Sequence, residues 1–220
     1  MTLRLLFIDE LTGFYKSKVM IFLWIGLPTI SILFHFLPSS TGQSIPFTVV
    51  STILVSSLAG TLASVMLAVS IVNEKNRHVY ELFLIRPVKR RNIIIAKFLS
   101  VYVCIAFASF LAIGLGIAAD YLLGGTLTEV VLNDTVQSLS TSLSMMAVSS
   151  AAGVLIGVAS PSVLVGAILV IYGGNQISVI PLLPNILNFA DPLLFTTCLG
   201  TSMSIVLLTL AISVFNKKQF

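Results

Sequence analysis

Phe98-Leu99-Ser100-Val101-Tyr102-Val103-Cys104-Ile105-Ala106-Phe107-Ala108-Ser109-Phe110-Leu111-Ala112-Ile113-Gly114-Leu115-Gly116-Ile117-Ala118-Ala119 contains no Asp, Glu, Lys or Arg. A bilayer's hydrocarbon core is about 30 Å thick, and about 20 apolar residues in a helix cross it. The run therefore reads as a membrane-spanning helix. Working outward, residues 19–37, 47–72, 135–158, 163–180 and 193–215 also lack those four residue types. Breaks fall at Pro38-Ser39-Ser40-Thr41-Gly42, at 73–97, between Asp120 and Asp134, at Ser160-Pro161-Ser162, and between Pro181 and Pro192, where turn chemistry and charge collect. Barrel strands would alternate every second residue, and these runs do not. The expected fold is an all-α membrane protein with six spans in a single transmembrane domain over 1–220.

Composition agrees. Of 220 residues, 57% are hydrophobic and 9% charged, against roughly 25% charged in a typical soluble domain. Only lipid can serve as solvent for so much apolar side chain. A soluble enzyme and a nucleic-acid-binding domain are excluded.

The distribution of charge sets the orientation. Arg4, Lys16 and Lys18 precede the first span; Lys75, Arg77, Arg86, Lys89, Arg90, Arg91 and Lys97 lie between the second and third; Lys217 and Lys218 follow the sixth. With six spans, all 12 Lys and Arg fall on one side. Asp120, Glu129, Asp134 and Asp191 fall on the other. An odd number of spans would scatter the basic residues. Both termini are expected in the cytoplasm, in the plasma (inner) membrane. Residues 2–16 carry Leu3, Leu6, Phe7, Leu11 and Phe14 as an apolar stripe at helical spacing. They read as a helix lying in the membrane interface rather than as a cleavable signal.

Chemistry-bearing residues are sparse. No carboxylate, Lys or Arg lies in a span, which disfavours an intramembrane enzyme or an ion-coupled carrier. His35 reads as interfacial, and His35 and His78 are too far apart for a zinc motif. Cys104 and Cys198 read as small packed hydrophobes. No metal or cofactor is expected on this chain. No G-x-x-x-x-G-K-[ST] phosphate loop is present, so energy for transport would have to come from another polypeptide. It would enter through Asn73-Glu74-Lys75-Asn76-Arg77-His78-Val79-Tyr80-Glu81-Leu82-Phe83-Leu84-Ile85-Arg86-Pro87. From Glu74 to Arg86 this reads as a short helix that Pro87 stops. Val79, Leu82 and Phe83 share a face that would fill a partner's groove; the alternative is an interfacial helix whose basic residues hold anionic headgroups.

Glu74, Glu81, Leu82, Pro87 and Lys97, in that order and spacing, resemble the loop before the third span of the type-2 ABC-transporter permease family. His78-Val79 stand where that family usually has Gly-Thr. The resemblance implies a transmembrane exporter subunit, not itself catalytic. It would pair with a second permease copy or a homologue, and two ABC ATPase subunits holding ATP and Mg would drive it. Glu74, Arg77, His78, Val79, Glu81, Leu82, Phe83 and Pro87 would form the coupling helix on which the ATPases dock. The substrate is expected to be hydrophobic or amphipathic: a lipid, amphipathic peptide, drug or haem. A non-transporting anchor or sensor, recruiting a cytoplasmic partner through the same helix, is the alternative.

Two further patterns stand out. Ser56, Gly60, Ser64 and Ala68 recur every four residues, as do Ser149, Gly153 and Gly157. Small residues let helices approach closely in lipid, either within the subunit or at a dimer seam. Asn175-Gln176 would line the pathway or bond a neighbouring helix. The topology carries its own test. A cysteine placed at Thr128 should react with an impermeant thiol reagent in intact cells and one at Asn216 should not; the reverse pattern rejects the orientation.

Overall fold

The computed structural model describes residues 3–17, 20–21, 23–26, 28–29, 47–77, 90–122, 129–187 and 191–217, and among them there is no strand. The elements are α1 (Leu3–Tyr15), α2 (Phe47–Asn76), α3 (Arg90–Leu122) and α4 (Glu129–Ala159), then α5 (Val163–Leu169). A π turn (Val170–Gly174) follows, then α6 (Asn175–Ser178), a 3-10 turn (Ile180–Leu182), α7 (Leu183–Ile186) and α8 (Pro192–Lys217). Five stretches are long and apolar enough to cross a membrane: Ser57–Asn76, Arg91–Ala118, Thr135–Ala159, Val163–Leu182 and Pro192–Lys217. They fall on five of the six apolar runs. Most of the other run, 19–37, lies outside the described residues, and those described within it are helical.

The helices outrun their apolar stretches. The second run ends at residue 72 but α2 continues to Asn76, and α3 opens at Arg90, well before the apolar run at 98. An α-helix satisfies its own backbone groups, so nothing forces it to stop at the hydrocarbon edge. Lys97 therefore sits inside a helix. Between α4 and α5 the chain does break: Pro161 cannot continue the helix, and Ser162 Oγ caps the next one by accepting from the Val165 amide at 3.4 Å.

α4 is the central helix. Its apolar window is 72% buried, against 22–44% for the other four spans. The cause is its small side chains, which let neighbours close in from two sides. A Cβ on Gly153 would lie 2.5 Å from the Ser64 carbonyl oxygen, and one on Gly157 would lie 2.9 Å from the Ala68 Cα. On the α8 side, a Cβ on Gly200 would come within 2.6 Å of Ser144 Cβ. Gly60, Ser64 and Ala68 thus meet Ser149, Gly153 and Gly157 in ascending order, so α2 and α4 run parallel. Ser149 Oγ donates across the seam to the Gly60 carbonyl at 2.8 Å. Most other interior hydroxyls, among them Ser150 and Ser204, bond a carbonyl one turn back in their own helix.

The apolar bulk faces outward. Val103, Phe107, Phe110 and Leu111 on α3, and Leu194, Phe195, Ile205, Val206 and Leu210 on α8, are exposed. Such a surface suits lipid, not water. The described helices form a multi-pass membrane protein with small and hydroxyl residues inside and large hydrocarbons outside.

The α2–α4 seam discriminates between its glycines. Gly153→Ala drives a methyl into the Ser64 backbone and should cost about 1–3 kcal/mol. Gly60→Ala meets only ordinary contact, 3.4 Å from Ser149, and should be nearly silent. Thermal unfolding in detergent measures both; equal effects would contradict the packing.

Candidate functional site

Charge is rare in this chain, so the place where it is buried defines the candidate site. Lys97 lies on α3 with its side chain 2% exposed. Its ammonium group is 2.5 Å from Glu74 Oε1 on α2 and 2.8 Å from Glu10 Oε1 on α1. It lies 3.0 Å from the second Glu10 oxygen. A third donor direction reaches Ser70 Oγ at 3.5 Å, and Ser70 itself donates to Glu74 Oε1 at 3.1 Å. The Phe14 ring centroid is 5.7 Å from the ammonium, within cation–π range. Three helices are thereby joined at one nitrogen.

Helix geometry explains the convergence. Glu74 is in the last turn of α2, one turn beyond Ser70, so both face the same neighbour. α3 runs back antiparallel and brings Lys97 opposite them. α1 lies on α3, burying Leu6 and Phe14, and Glu10 shares their face. A space of about 370 Å³ remains between α1 and α2, lined by Asp9, Glu10, Gly13, Phe14, Ser17, Met66, Ser70 and Glu74. Burial raises the Glu10 carboxyl above its ordinary value; Lys97 opposes that shift, while Glu74 and Asp9 add to it.

Glu74's neighbour makes a second tether. Lys75 Nζ donates to the Ser160 carbonyl at 3.2 Å, at the end of α4, where a cation also complements the helix dipole. Consecutive residues at the end of α2 therefore hold opposite sides of the bundle, Glu74 toward α1 and α3, Lys75 toward α4. Arg77 follows in a turn and is exposed.

The sequence profile of a family described as ABC-2 family transporter protein matches residues 6–217. The chain belongs to the ABC-2 transporter family. It is a transmembrane subunit of an ABC transporter, not itself catalytic, of a kind that associates with ABC ATPase subunits. No curated protein matches the chain.

The permease's other sequence-selected residues fall as follows. His78, Val79, Glu81, Leu82, Phe83 and Pro87 lie outside the described residues. Glu74, singled out there for docking, is bonded to Lys97 and Ser70 inside the chain. Among the described residues, no group of three or more His, Cys, Asp and Glu could hold a metal. Asn175 and Gln176 open α6 directly after the π turn, a distortion that re-aims the side chains beyond it. Asn175 is half-buried, and Gln176 is exposed beside Tyr172, which is 75% exposed.

Glu10 was missed. The signal was present: Leu3, Phe7, Glu10 and Phe14 follow helical spacing, so an acid interrupts the apolar stripe and calls for a buried partner.

Removing the shared cation should be worse than removing one anion. Lys97→Met leaves two facing carboxylates half-buried and should destabilise the permease by about 3–5 kcal/mol. Glu10→Gln leaves a one-to-one pair and should stay close to the parent. Adding Glu10→Gln and Glu74→Gln to Lys97→Met should recover most of the loss. Denaturant unfolding in detergent ranks the variants, and a silent Lys97→Met would refute the node.

Proposed function

We propose that this permease is half of the pathway of an ATP-driven exporter in the plasma membrane. Two copies, or this chain and a homologue, enclose the pathway. Two ATPase subunits, holding ATP and Mg, dock on the segment 74–87 at the cytoplasmic face, where both termini also lie. The observation that carries this reading is the double tether at the end of α2. The docking segment begins where Glu74 grips α1 and α3 and Lys75 grips α4. A displacement of that segment by closing ATPases is therefore delivered to both sides of the bundle at once.

The pathway face is argued from solvation. A Gln side chain has both donors and acceptors, and hydrocarbon satisfies none of them. Gln176, exposed in a span beside Tyr172, fits a face turned toward a second subunit or a wet pathway. Among the described residues the interior offers hydroxyls and small side chains, and Lys97, the one buried charged side chain, is already paired. A hydrophobic or amphipathic substrate matches this lining, because a strongly charged solute would find nothing to offset its desolvation.

Docking is tested by comparing an apolar truncation with a charge reversal. Phe83→Ala removes an anchor whose loss from a partner groove commonly costs more than about 2 kcal/mol, roughly thirtyfold in affinity. The ATPase should fail to co-purify with Phe83→Ala, while a triple reversal at Lys89, Arg90 and Arg91 should weaken binding in a salt-dependent way. Intact ATPase binding and stimulation in Phe83→Ala, with both lost in the reversal, would overturn the docking assignment and favour headgroup contact.

A further inference from the structure

The node contains more negative charge than it can balance. Among the described residues, the charged groups facing Glu10 are Lys97 from α3, Glu74 from α2 and Asp9 on its own helix. One ammonium serves two carboxylates directly, with a third close by. Glu74 has the better share, since Ser70 also donates to it. Even so, Glu74 Oε2 is buried without a hydrogen-bond partner. A single added proton would bring the Glu10–Lys97–Glu74 set to neutrality.

The helix that carries Glu10 is also the one with somewhere else to go. α1 lies against α3 and buries only Leu6 and Phe14, while Leu3, Leu5, Ile8 and Tyr15 are exposed on its other faces. An amphipathic helix with apolar residues on its outer side is also at home in the membrane interface. The space of about 370 Å³ between α1 and α2 means that the two are not packed closely there. Glu10 and Glu74 line that space, so protons and water can reach the node.

We propose that the seating of α1 on the bundle is proton-linked through Glu10: a proton on its carboxyl holds the helix in place, and ionisation makes it easier to release toward the membrane surface. The direction follows from linkage. Burial raises the Glu10 carboxyl despite the pull of Lys97, so the seated state binds the proton more tightly than the released state. Seating is strongest below the ordinary glutamate range and weakens as pH rises through the raised value. Lys97 holds α2 to α3 in both states through Glu74. Only α1 is switched. The proposal stands on the geometry of the node and does not depend on the transport reading.

The test is a distance measured by pulsed EPR on the full chain in nanodiscs, from pH 5 to pH 8. Spin labels are placed at Ile8→Cys on α1 and Leu99→Cys on α3, with Cys104 and Cys198 replaced by alanine. The ratio of long to short distances should rise with pH, by at most about tenfold per pH unit for a single proton. In Glu10→Gln the short distance should persist at every pH. A distribution that does not change with pH, one that lengthens toward acid, or a pH response that survives in Glu10→Gln would each overturn the proposal. Because the readout is a distance, its failure leaves the transport reading untouched.

Discussion

Lys97 brings a full positive charge into a site where its side chain is 2% exposed, and the charged end of the bundle is arranged to make that tolerable. An isolated buried ammonium would cost several kcal/mol or lose its proton. Here the surrounding groups come from the two neighbouring helices: Glu74 and Ser70 from α2, Glu10 and Phe14 from α1. Moving α2 or α3 alone would part Lys97 from Glu74, whereas loss of α1 would leave that pair in place. The node acts as a clasp more than as a source of stability, because well-packed hydrocarbon of the same size would serve stability as well or better.

Away from the node, cohesion comes from close approach. Lipid tails are as apolar as leucine, so burial of hydrocarbon gives helices little reason to associate. Gly153 against Ser64 and Gly200 against Ser144 bring backbones near enough for dispersion and for the Ser149–Gly60 hydrogen bond. The two mechanisms divide the work. Small-residue packing fixes α2, α4 and α8 along their lengths, and the ion pairs fix the ends where α1, α2 and α3 meet. Lys75 on the Ser160 carbonyl joins the two systems, so the end of α2 is held to both.

The spans were legible because a helix in lipid must be apolar over its whole crossing, and uninterrupted runs show this directly. Helix ends were less legible: Asn76 and Arg90 are helical although polar, since the backbone needs no apolar side chains to continue. The stripes of Gly60, Ser64, Gly153 and Gly157 were visible as periodic small residues, but periodicity gives a face and not the neighbour it meets. Glu74 and Lys97 stood out through the family resemblance; Glu10 was marked only as an acid interrupting an apolar stripe, with nothing to show that it shares Lys97 with Glu74. Their union depends on α1 folding back over α3, a long-range contact that no local pattern encodes. Similarly, the π turn before Asn175 and Gln176 leaves no mark in an apolar sequence. The residues proposed for docking from His78 to Pro87 lie outside the described residues, and that proposal rests on sequence alone.

The central claim is that one cation ties α1, α2 and α3 into a single mechanical unit. Hydrogen–deuterium exchange on the full chain in nanodiscs, comparing the parent with Lys97→Met, tests it most directly. The account predicts faster exchange together in α1 and in the last turn of α2 near Glu74, two regions remote in sequence from the substitution, with the α2–α4 seam at Gly60 and Gly153 unchanged. Faster exchange confined to α3 around residue 97, with α1 and the end of α2 as protected as in the parent, would contradict it.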